Sequence, residues 1–298
     1  MPDLIPPWPR TETSLVSRTL ALRHAPSTKP GAESALYLHG LGGSSLNWTD
    51  LMGLLQPHVD GWAIDFNGFG ASPPPRDGDY TPLGHARAAV EFIEQRLDGQ
   101  PVHLFGNSMG GAVAVQVAAR RPDLVRTLTL ISPALPEVRP NKVNIMLPVM
   151  AIPGLGEAAS KRVAQLPIEQ RVQGTIKSVY ADPSRVAPQR FAEAVQEATM
   201  RSEFTYADDA FLQSLRGLLG SYLDSGPRRP WKLAELIDAR TLLIYGRKDP
   251  LVDARSAYRS TRHFKQADVM VLEDSAHVSM MEFPGIVGEA WTSRFVQR

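Results

Sequence analysis

Short apolar runs alternate with longer amphipathic stretches along most of the chain. The runs end at glycine, aspartate or proline and occupy residues 35–38, 61–65, 102–105, 128–131, 241–245 and 269–272. Runs of this length, bounded by turn residues, are typical of strands buried on both faces. Helix-length segments lie between them, at residues 82–96, 109–120, 255–262 and 286–295. This alternation predicts a mainly parallel sheet that is covered by helices on both faces.

Two further stretches complete the expected architecture. Polar and apolar positions alternate over residues 17–22, so residues 14–25 are predicted to form one or two edge strands that open the sheet. From about residue 137 to 230 the pattern is helical and broken by Pro and Gly, which is too long for a bare loop. We therefore expect an α/β fold with a doubly wound, mostly parallel sheet of about eight strands. Residues 1–136 and 228–298 should form its core, and residues 137–227 an inserted helical cap.

Composition narrows the class of protein. The chain has 298 residues, with 32 Lys and Arg against 31 Asp and Glu, and so lacks the positive bias of nucleic-acid binders. It contains no cysteine, which excludes thiolate metal sites and a cysteine nucleophile. The first ten residues do not resemble a signal peptide, and no run of about 18 apolar residues occurs. The expectation is a cytoplasmic protein that acts on a small molecule, without a nucleic-acid partner or stable membrane insertion.

The candidate chemistry begins at residues 106–110, which read Gly-Asn-Ser-Met-Gly between a predicted strand and a predicted helix. This is the G-x-S-x-G pattern in its strand–turn–helix setting. A nucleophile on so tight a turn needs neighbours without side chains, which Gly106 and Gly110 provide. The start of the following helix favours the negative charge that develops during reaction. Ser108 is therefore the candidate nucleophile.

A serine hydroxyl needs a base that takes its proton. Of the seven histidines, His277 follows the last predicted strand, at the sheet edge where ligand sites of open parallel sheets lie. His103 comes early in its strand, and His85 is expected on a helix surface. Asp249 follows the strand at 241–245 and is the candidate acid that orients the histidine. Asp253 competes with it, but Asp253 better fits a helix cap.

The anion formed when a serine attacks a carbonyl needs hydrogen-bond donors. The backbone N–H of Met109, directly after the candidate nucleophile, is one. The second is expected from the glycine-rich turn at residues 39–44, as the N–H of Leu41, with His39 bracing that turn. The turn lacks the G-x-G-x-x-G and P-loop patterns, and the chain has no H-E-x-x-H. No nucleotide, metal or organic cofactor is predicted.

Together these motifs resemble the capped members of the α/β-hydrolase fold superfamily. The matching segments are HGLGGS at 39–44, DFNGFGAS at 65–72, GNSMGG at 106–111, GRKDPLVD at 246–253 and HVSMMEFP at 277–284. The resemblance implies a Ser108 nucleophile, a His277 base and an Asp249 orienting acid, with Leu41 and Met109 as oxyanion donors. A serine at position 108 argues against the haloalkane dehalogenases and epoxide hydrolases of this superfamily, which place Asp there.

The resemblance leaves several activities open. The segment GNSMGG is similar to that of meta-cleavage-product hydrolases, which cut carbon–carbon bonds, and to that of carboxylesterases and lipases. The first group usually has Gly-His-Trp around the base, where this chain has Ala276-His277-Val278. We expect hydrolysis of a carboxylic ester of a small or medium apolar substrate through an acyl-enzyme. A carbon–carbon bond hydrolase and a non-enzymatic ligand receptor on the same fold are the alternatives.

The start of the predicted cap is apolar and rich in methionine, with the sequence VNIMLPVMAIP at residues 143–153. Methionine side chains adapt to varied apolar ligands, so Met146 and Met150 are candidate substrate contacts. Val278, beside the candidate base, is a third. For the same segment, a lid that touches a lipid surface and ordinary packing of the cap on the core remain alternatives.

Overall fold

A computed structural model of the chain describes residues 4–137 and 146–296. Within these residues eight strands form one sheet, in the order β1-β2-β4-β3-β5-β6-β7-β8. The strands are β1 Arg10–Ser14, β2 Thr19–Ala25, β3 Glu33–Leu38, β4 Val59–Ile64, β5 Val102–Asn107, β6 Val125–Ile131, β7 Arg240–Gly246 and β8 Ala267–Leu272. β2 runs antiparallel to β1 and β4, and every other pairing is parallel. The predicted fold class is confirmed.

Helices cover the sheet and make up most of the described residues between β6 and β7. They are α1 Thr49–Leu55, α2 Pro82–Arg96, α3 Met109–Arg120, α4 Met146–Ala151, α5 Leu155–Ala164, α6 Ile168–Val179, α7 Pro188–Ser202, α8 Ala207–Ser221, α9 Pro230–Ala234, α10 Ser256–His263, α11 Ser279–Glu282 and α12 Pro284–Phe295. The bounds of α2 and α3 are those predicted. α2 begins where the Thr81 hydroxyl accepts the N–H of Gly84 and Pro82 takes the first helical position.

The sheet separates two apolar clusters, as its short apolar runs predict. Leu36 and Leu38 of β3 pack into one cluster, while Ala35 and Tyr37 of the same strand pack into the other. Successive side chains of a strand point to opposite faces, so a strand buried on both faces must be apolar throughout. The first cluster is closed by α2 and α3, and the second includes Trp291 of α12.

The opening strands differ from the prediction. β1 begins at Arg10, before the segment at 14–25, and is the edge of the sheet, while β2 lies between β1 and β4. β1 reads Arg-Thr-Glu-Thr-Ser, and only Thr13 is buried. β1 is held in the sheet by backbone hydrogen bonds to β2, and its mostly exposed side chains show no apolar pattern in the sequence.

Helices α4 to α8, with the segments between them, are here called the cap region. Between β6 and β7 the described residues contain no strand. Arg190 of α7 forms an ion pair with Asp50 of α1 at 2.6 Å, which ties the cap region to the core. The domain limits at 137 and 227 stay a prediction. No helix within the described ranges is long and apolar enough to cross a bilayer.

The contact between α3 and β3 depends on a glycine. A Cβ on Gly110 would lie 2.1 Å from the carbonyl oxygen of Leu38 and 2.5 Å from that of His39. Gly110→Ala is expected to lower the free energy of unfolding by about 2 kcal/mol, because backbone must move to admit the methyl group. Urea unfolding measures this.

Gly174→Ala in α6 is the matched control, since nothing lies within 4 Å of its added Cβ. It should be neutral or stabilise by up to about 1 kcal/mol, as alanine favours a helix. Equal unfolding midpoints for the two variants would contradict the predicted contact.

Candidate active site

Ser108 occupies a strained turn between β5 and α3. Its φ of 53° and ψ of −118° lie in a region that non-glycine residues rarely adopt. The turn is held because the N–H of Ser108 donates to Ile131 O at 3.1 Å and its carbonyl oxygen accepts the N–H of Ala134 at 2.9 Å. Ser108 is half-buried, and its side chain caps no N–H of α3. The hydroxyl is therefore placed at the amino end of α3 without a structural hydrogen bond to that helix.

His277 and Asp249 form a buried pair on the loops after β8 and β7. The Nδ1–H of His277 donates to Oδ2 of Asp249 at 2.8 Å, and the two residues are 4% and 8% exposed. Oδ1 of Asp249 accepts the N–H groups of Leu251 at 2.8 Å and Val252 at 3.0 Å. Nε2 of His277 makes no hydrogen bond to any residue of the described ranges. The ring is thus oriented through Nδ1, and Nε2 is left to act on a substrate or a hydroxyl.

The charge state of Asp249 follows from these contacts. Burial alone would raise the pKa of this carboxyl group. The imidazole of His277 and the N–H of Val252 outweigh burial and hold the pKa of Asp249 below its ordinary value. An ionised carboxylate therefore faces the imidazole at neutral pH.

Asn107 connects the turn at Ser108 to the loop of His277. Its Nδ2 donates to the carbonyl oxygens of Ile131 and His277, both at 3.0 Å, and the residue is 3% exposed. The prediction from sequence missed this residue. The sequence did offer a signal for it, because Asn107 is a polar residue at the end of a buried strand and directly precedes the candidate nucleophile.

Asp253 and His103, which the sequence analysis excluded from the candidate site, make contacts elsewhere. The carboxylate of Asp253 accepts the N–H of Arg255 at 2.8 Å, just before α10 begins. His103 contacts Thr127 Oγ1 at 2.8 Å and Glu33 at 2.9 Å, and all three residues lie toward the amino ends of their strands. Both placements agree with the expectation that neither residue belongs to the site.

The glycine-rich turn after β3 passes beside Ser108. A Cβ on Gly40 would lie 3.2 Å from the Cβ of Ser108, so the turn approaches closely because Gly40 has no side chain. His39 braces the turn as predicted: its Nε2 accepts the N–H of Phe66 at 3.0 Å, and its Nδ1–H donates to Gly40 O at 2.7 Å. Across residues 4–137 and 146–296, neither the N–H of Leu41 nor that of Met109 has a backbone or side-chain acceptor. Both remain candidate oxyanion donors.

His85 corrects one expectation from sequence. It was predicted on a helix surface, but it is 1% exposed and its Nε2 lies 3.2 Å from Ser214 Oγ of α8. The prediction was wrong because the cap region covers this face of α2, and the helical pattern of α2 alone does not reveal that. Burial lowers the pKa of His85 to about 3 and that of His39 to about 4.

The structure describes the side chains of two of the three candidate substrate contacts. Met150 of α4 is half-buried, and Val278 is 7% exposed and packs in the second apolar cluster. The side chain of Met146 lies outside the described residues, so all three contacts stay predictions. Phe211 of α8, which the sequence analysis missed, lies 3.3 Å from where a Cβ of Gly42 would be. No three His, Asp or Glu side chains of the described residues are grouped to hold a metal ion.

Comparison with known proteins establishes the family. The sequence model of the α/β hydrolase fold matches residues 36–284, so the chain belongs to this family. A solved structure described as a membrane phospholipase A and a bacterial virulence factor is 22% identical, with a TM-score of 0.78. The likeness covers 96% of this chain and 84% of that one, and it shows the fold. The resemblance inferred from sequence is confirmed.

The names of the curated relatives state an activity as well as a family. This chain is 27% identical over 266 residues to a pimeloyl-[acyl-carrier protein] methyl ester esterase of Neisseria meningitidis, covering 85% of this chain and 90% of that protein. It is 26% identical over 259 residues to the dihydrolipoyllysine-residue acetyltransferase component of the acetoin cleaving system of Cupriavidus necator. That match covers 85% of this chain but only 60% of the relative. The relative of Neisseria meningitidis, which is named for ester hydrolysis, supports the prediction of a hydrolase.

The buried neutral histidines predict a pH-dependent stability. An unfolded histidine takes up a proton below its ordinary pKa of 6.5, whereas folded His39 does so only near 4 and His85 near 3. The unfolded state then binds more protons, so the free energy of unfolding must fall as pH falls. The loss approaches about 1.4 kcal/mol per pH unit for each histidine. Urea unfolding at pH values between about 7 and 5 measures it.

His85→Gln should remove the share of this slope that belongs to His85. Ser214→Ala is the control, because it breaks the same hydrogen bond, of 3.2 Å, and leaves the titrating group in place. An unchanged slope in His85→Gln would show that burial of this imidazole does not couple stability to pH.

Proposed function

We propose that the protein is a serine ester hydrolase that acts through an acyl-enzyme, with Ser108, His277 and Asp249 as its triad. The observation that carries the proposal is the buried His277–Asp249 hydrogen bond of 2.8 Å. Asn107 ties the backbone of His277 to the turn that presents Ser108, at 3.0 Å. The esterase relative of Neisseria meningitidis, matched over 85% of this chain, supports an ester as the substrate.

In the proposed mechanism, Nε2 of His277 removes the proton of the Ser108 hydroxyl as Oγ attacks the ester carbonyl carbon. The N–H groups of Leu41 and Met109 bind the oxyanion, and each such donor is worth on the order of 3 kcal/mol in the transition state. His277 then protonates the leaving alcohol oxygen, the ester bond breaks, and Ser108 carries the acyl group. Water repeats the attack with His277 as base, which releases the acid and restores Ser108.

Asp249 has an electrostatic role in these steps. Its carboxylate stays ionised and accepts the Nδ1–H of His277, so it stabilises the imidazolium that forms in each half-reaction. It also fixes the tautomer in which Nε2 is free to accept a proton.

Turnover of p-nitrophenyl esters with acyl chains of about two to sixteen carbons tests the proposal. The purified protein is expected to release p-nitrophenol, and Ser108→Ala should lower kcat at least roughly 10³-fold because no nucleophile remains. Labelling of Ser108 by a fluorophosphonate, without turnover of any ester, would contradict ester hydrolysis. A chromogenic dienoate ring-fission product would then separate a carbon–carbon hydrolase from a ligand receptor.

A matched pair of aspartate variants tests the orienting acid. Asp249→Asn should lower kcat by roughly 10³- to 10⁴-fold, since the amide neither stabilises the imidazolium nor enforces the tautomer. Asp253→Asn removes the same charge four positions along the chain. It should retain the activity of the wild type, because among the described residues the Asp253 carboxylate contacts only the backbone N–H and the guanidinium of Arg255. Equal activities for the two variants would remove Asp249 from the triad.

A further inference from the structure

Glu282, at the end of α11, is a carboxylate with no exposed side-chain surface. Its Oε2 accepts the N–H of Ala276 at 2.6 Å and the hydroxyl of Ser275 at 3.2 Å. Its Oε1 accepts the N–H of Ala181 at 2.8 Å. A buried charge is costly unless its oxygens are satisfied, and an ionised carboxylate only accepts hydrogen bonds. The donors around Glu282 therefore match the charged form of this side chain.

These hydrogen bonds join two distant parts of the chain. Ser275 and Ala276 directly precede His277, whereas Ala181 belongs to residues 179–185, which follow the body of α6 in the cap region. We call residues 179–185 the cap brace. Glu282 is thus a bridge between the loop that carries the proposed base and the cap brace.

Further contacts hold the same loop against the cap brace. The N–H of His277 donates to the carbonyl oxygen of Val179 at 3.0 Å. Arg185 donates from Nη1 to Asp274 O at 2.9 Å, and its guanidinium lies 4.4 Å from the ring centroid of Phe283. The cap brace therefore contacts this loop before and at His277, and it also contacts Phe283 beyond α11.

The position of the imidazole depends on this backbone. Asp249 fixes the direction of the ring through Nδ1, but the place of the ring is set by where the backbone of residues 275–277 runs. Within the described residues, Glu282 is the one charged side chain that binds the backbone N–H directly before His277. A displacement of about 1 Å in a catalytic group can lower a rate roughly 100-fold.

We propose that Glu282 is a positioning residue: its buried carboxylate binds the loop of His277 to the cap brace and so holds the imidazole in place for proton transfer with Ser108. The inference rests on the proposed function, in which His277 is the base. It also makes the cap region part of the support of the triad, in addition to any contact with substrate.

Glu282→Gln tests the proposal with little change in shape. Glutamine replaces one carboxylate oxygen with an NH₂ group, which donates and cannot accept from the N–H or O–H group that faces it. Hydrogen bonds on that side are lost, so the loop should shift while α11 stays folded. We expect kcat to fall roughly 10- to 100-fold with KM within about two-fold of the wild type, since substrate contacts are retained. Glu273→Gln is the matched control, because Glu273 is exposed and lies four residues before His277, and its one ion pair among the described residues is with Arg247 at 2.9 Å.

A second readout does not depend on turnover. The Nδ1–H proton of His277, hydrogen-bonded to Asp249, should give a downfield proton resonance that disappears in Asp249→Asn. In Glu282→Gln this resonance should broaden and exchange faster with water, whereas in Glu273→Gln it should match the wild type. If the wild type lacks ester turnover, the proposed function fails, and the resonance still decides whether Glu282 positions His277.

Two results would overturn the proposal. One is a resonance unchanged by Glu282→Gln. The other is a kcat within about two-fold of the wild type, even if the melting temperature falls, because a residue that only stabilises the fold would behave in this way. If Glu282→Gln does not fold, Glu282→Asp, which keeps the charge and withdraws it by one methylene, is judged by the same two measurements.

Discussion

The hydrogen bond between Asp249 and His277 constrains how the chain runs after β7 and after β8. Asp249 is only 8% exposed, and a buried charge is costly unless hydrogen bonds satisfy it. Its carboxylate accepts the N–H groups of Leu251 and Val252 as well as a hydrogen bond from the imidazole. These donors oblige the chain to turn sharply after β7. His277 reaches Asp249 from the loop after β8, because β7 and β8 are parallel neighbours whose carboxyl ends lie together.

A second constraint is the close packing around Ser108. The turn is strained, and it persists because β6 on one side and α3 on the other hold its backbone. The glycines at 40 and 110 let neighbouring backbone approach to distances that a methyl group would not allow. The Ser108 turn is thus held by backbone hydrogen bonds and by the close approach that the two glycines permit.

The architecture was largely predictable because its signals are local. Helices α2 and α3 have the predicted bounds, because each has a start signal within a few residues. These signals are Thr81 with Pro82 before α2 and the tight turn at residues 106–108 before α3. The residues of the candidate triad could be proposed from sequence because each lies on the turn or loop that follows a strand of a parallel sheet. Contacts between elements far apart in sequence could not be predicted. His85 lies within hydrogen-bond distance of Ser214 in the cap region, and Asn107 donates to the carbonyl oxygen of His277. Edge strand β1 escaped detection because only Thr13 of its five residues is buried, so its sequence carries no apolar pattern.

The order of strands in the sheet has a consequence for how the molecule acquires reactivity. Ser108, Asp249 and His277 follow β5, β7 and β8, and β6 lies between β5 and β7 in the sheet. β7 and β8 both follow the cap region in chain order, whereas β5 precedes it. A folding intermediate in which β7 and β8 have not yet joined the sheet would present Ser108 without Asp249 or His277 beside it. Under the proposed function, such an intermediate would be inert toward esters until those two strands dock.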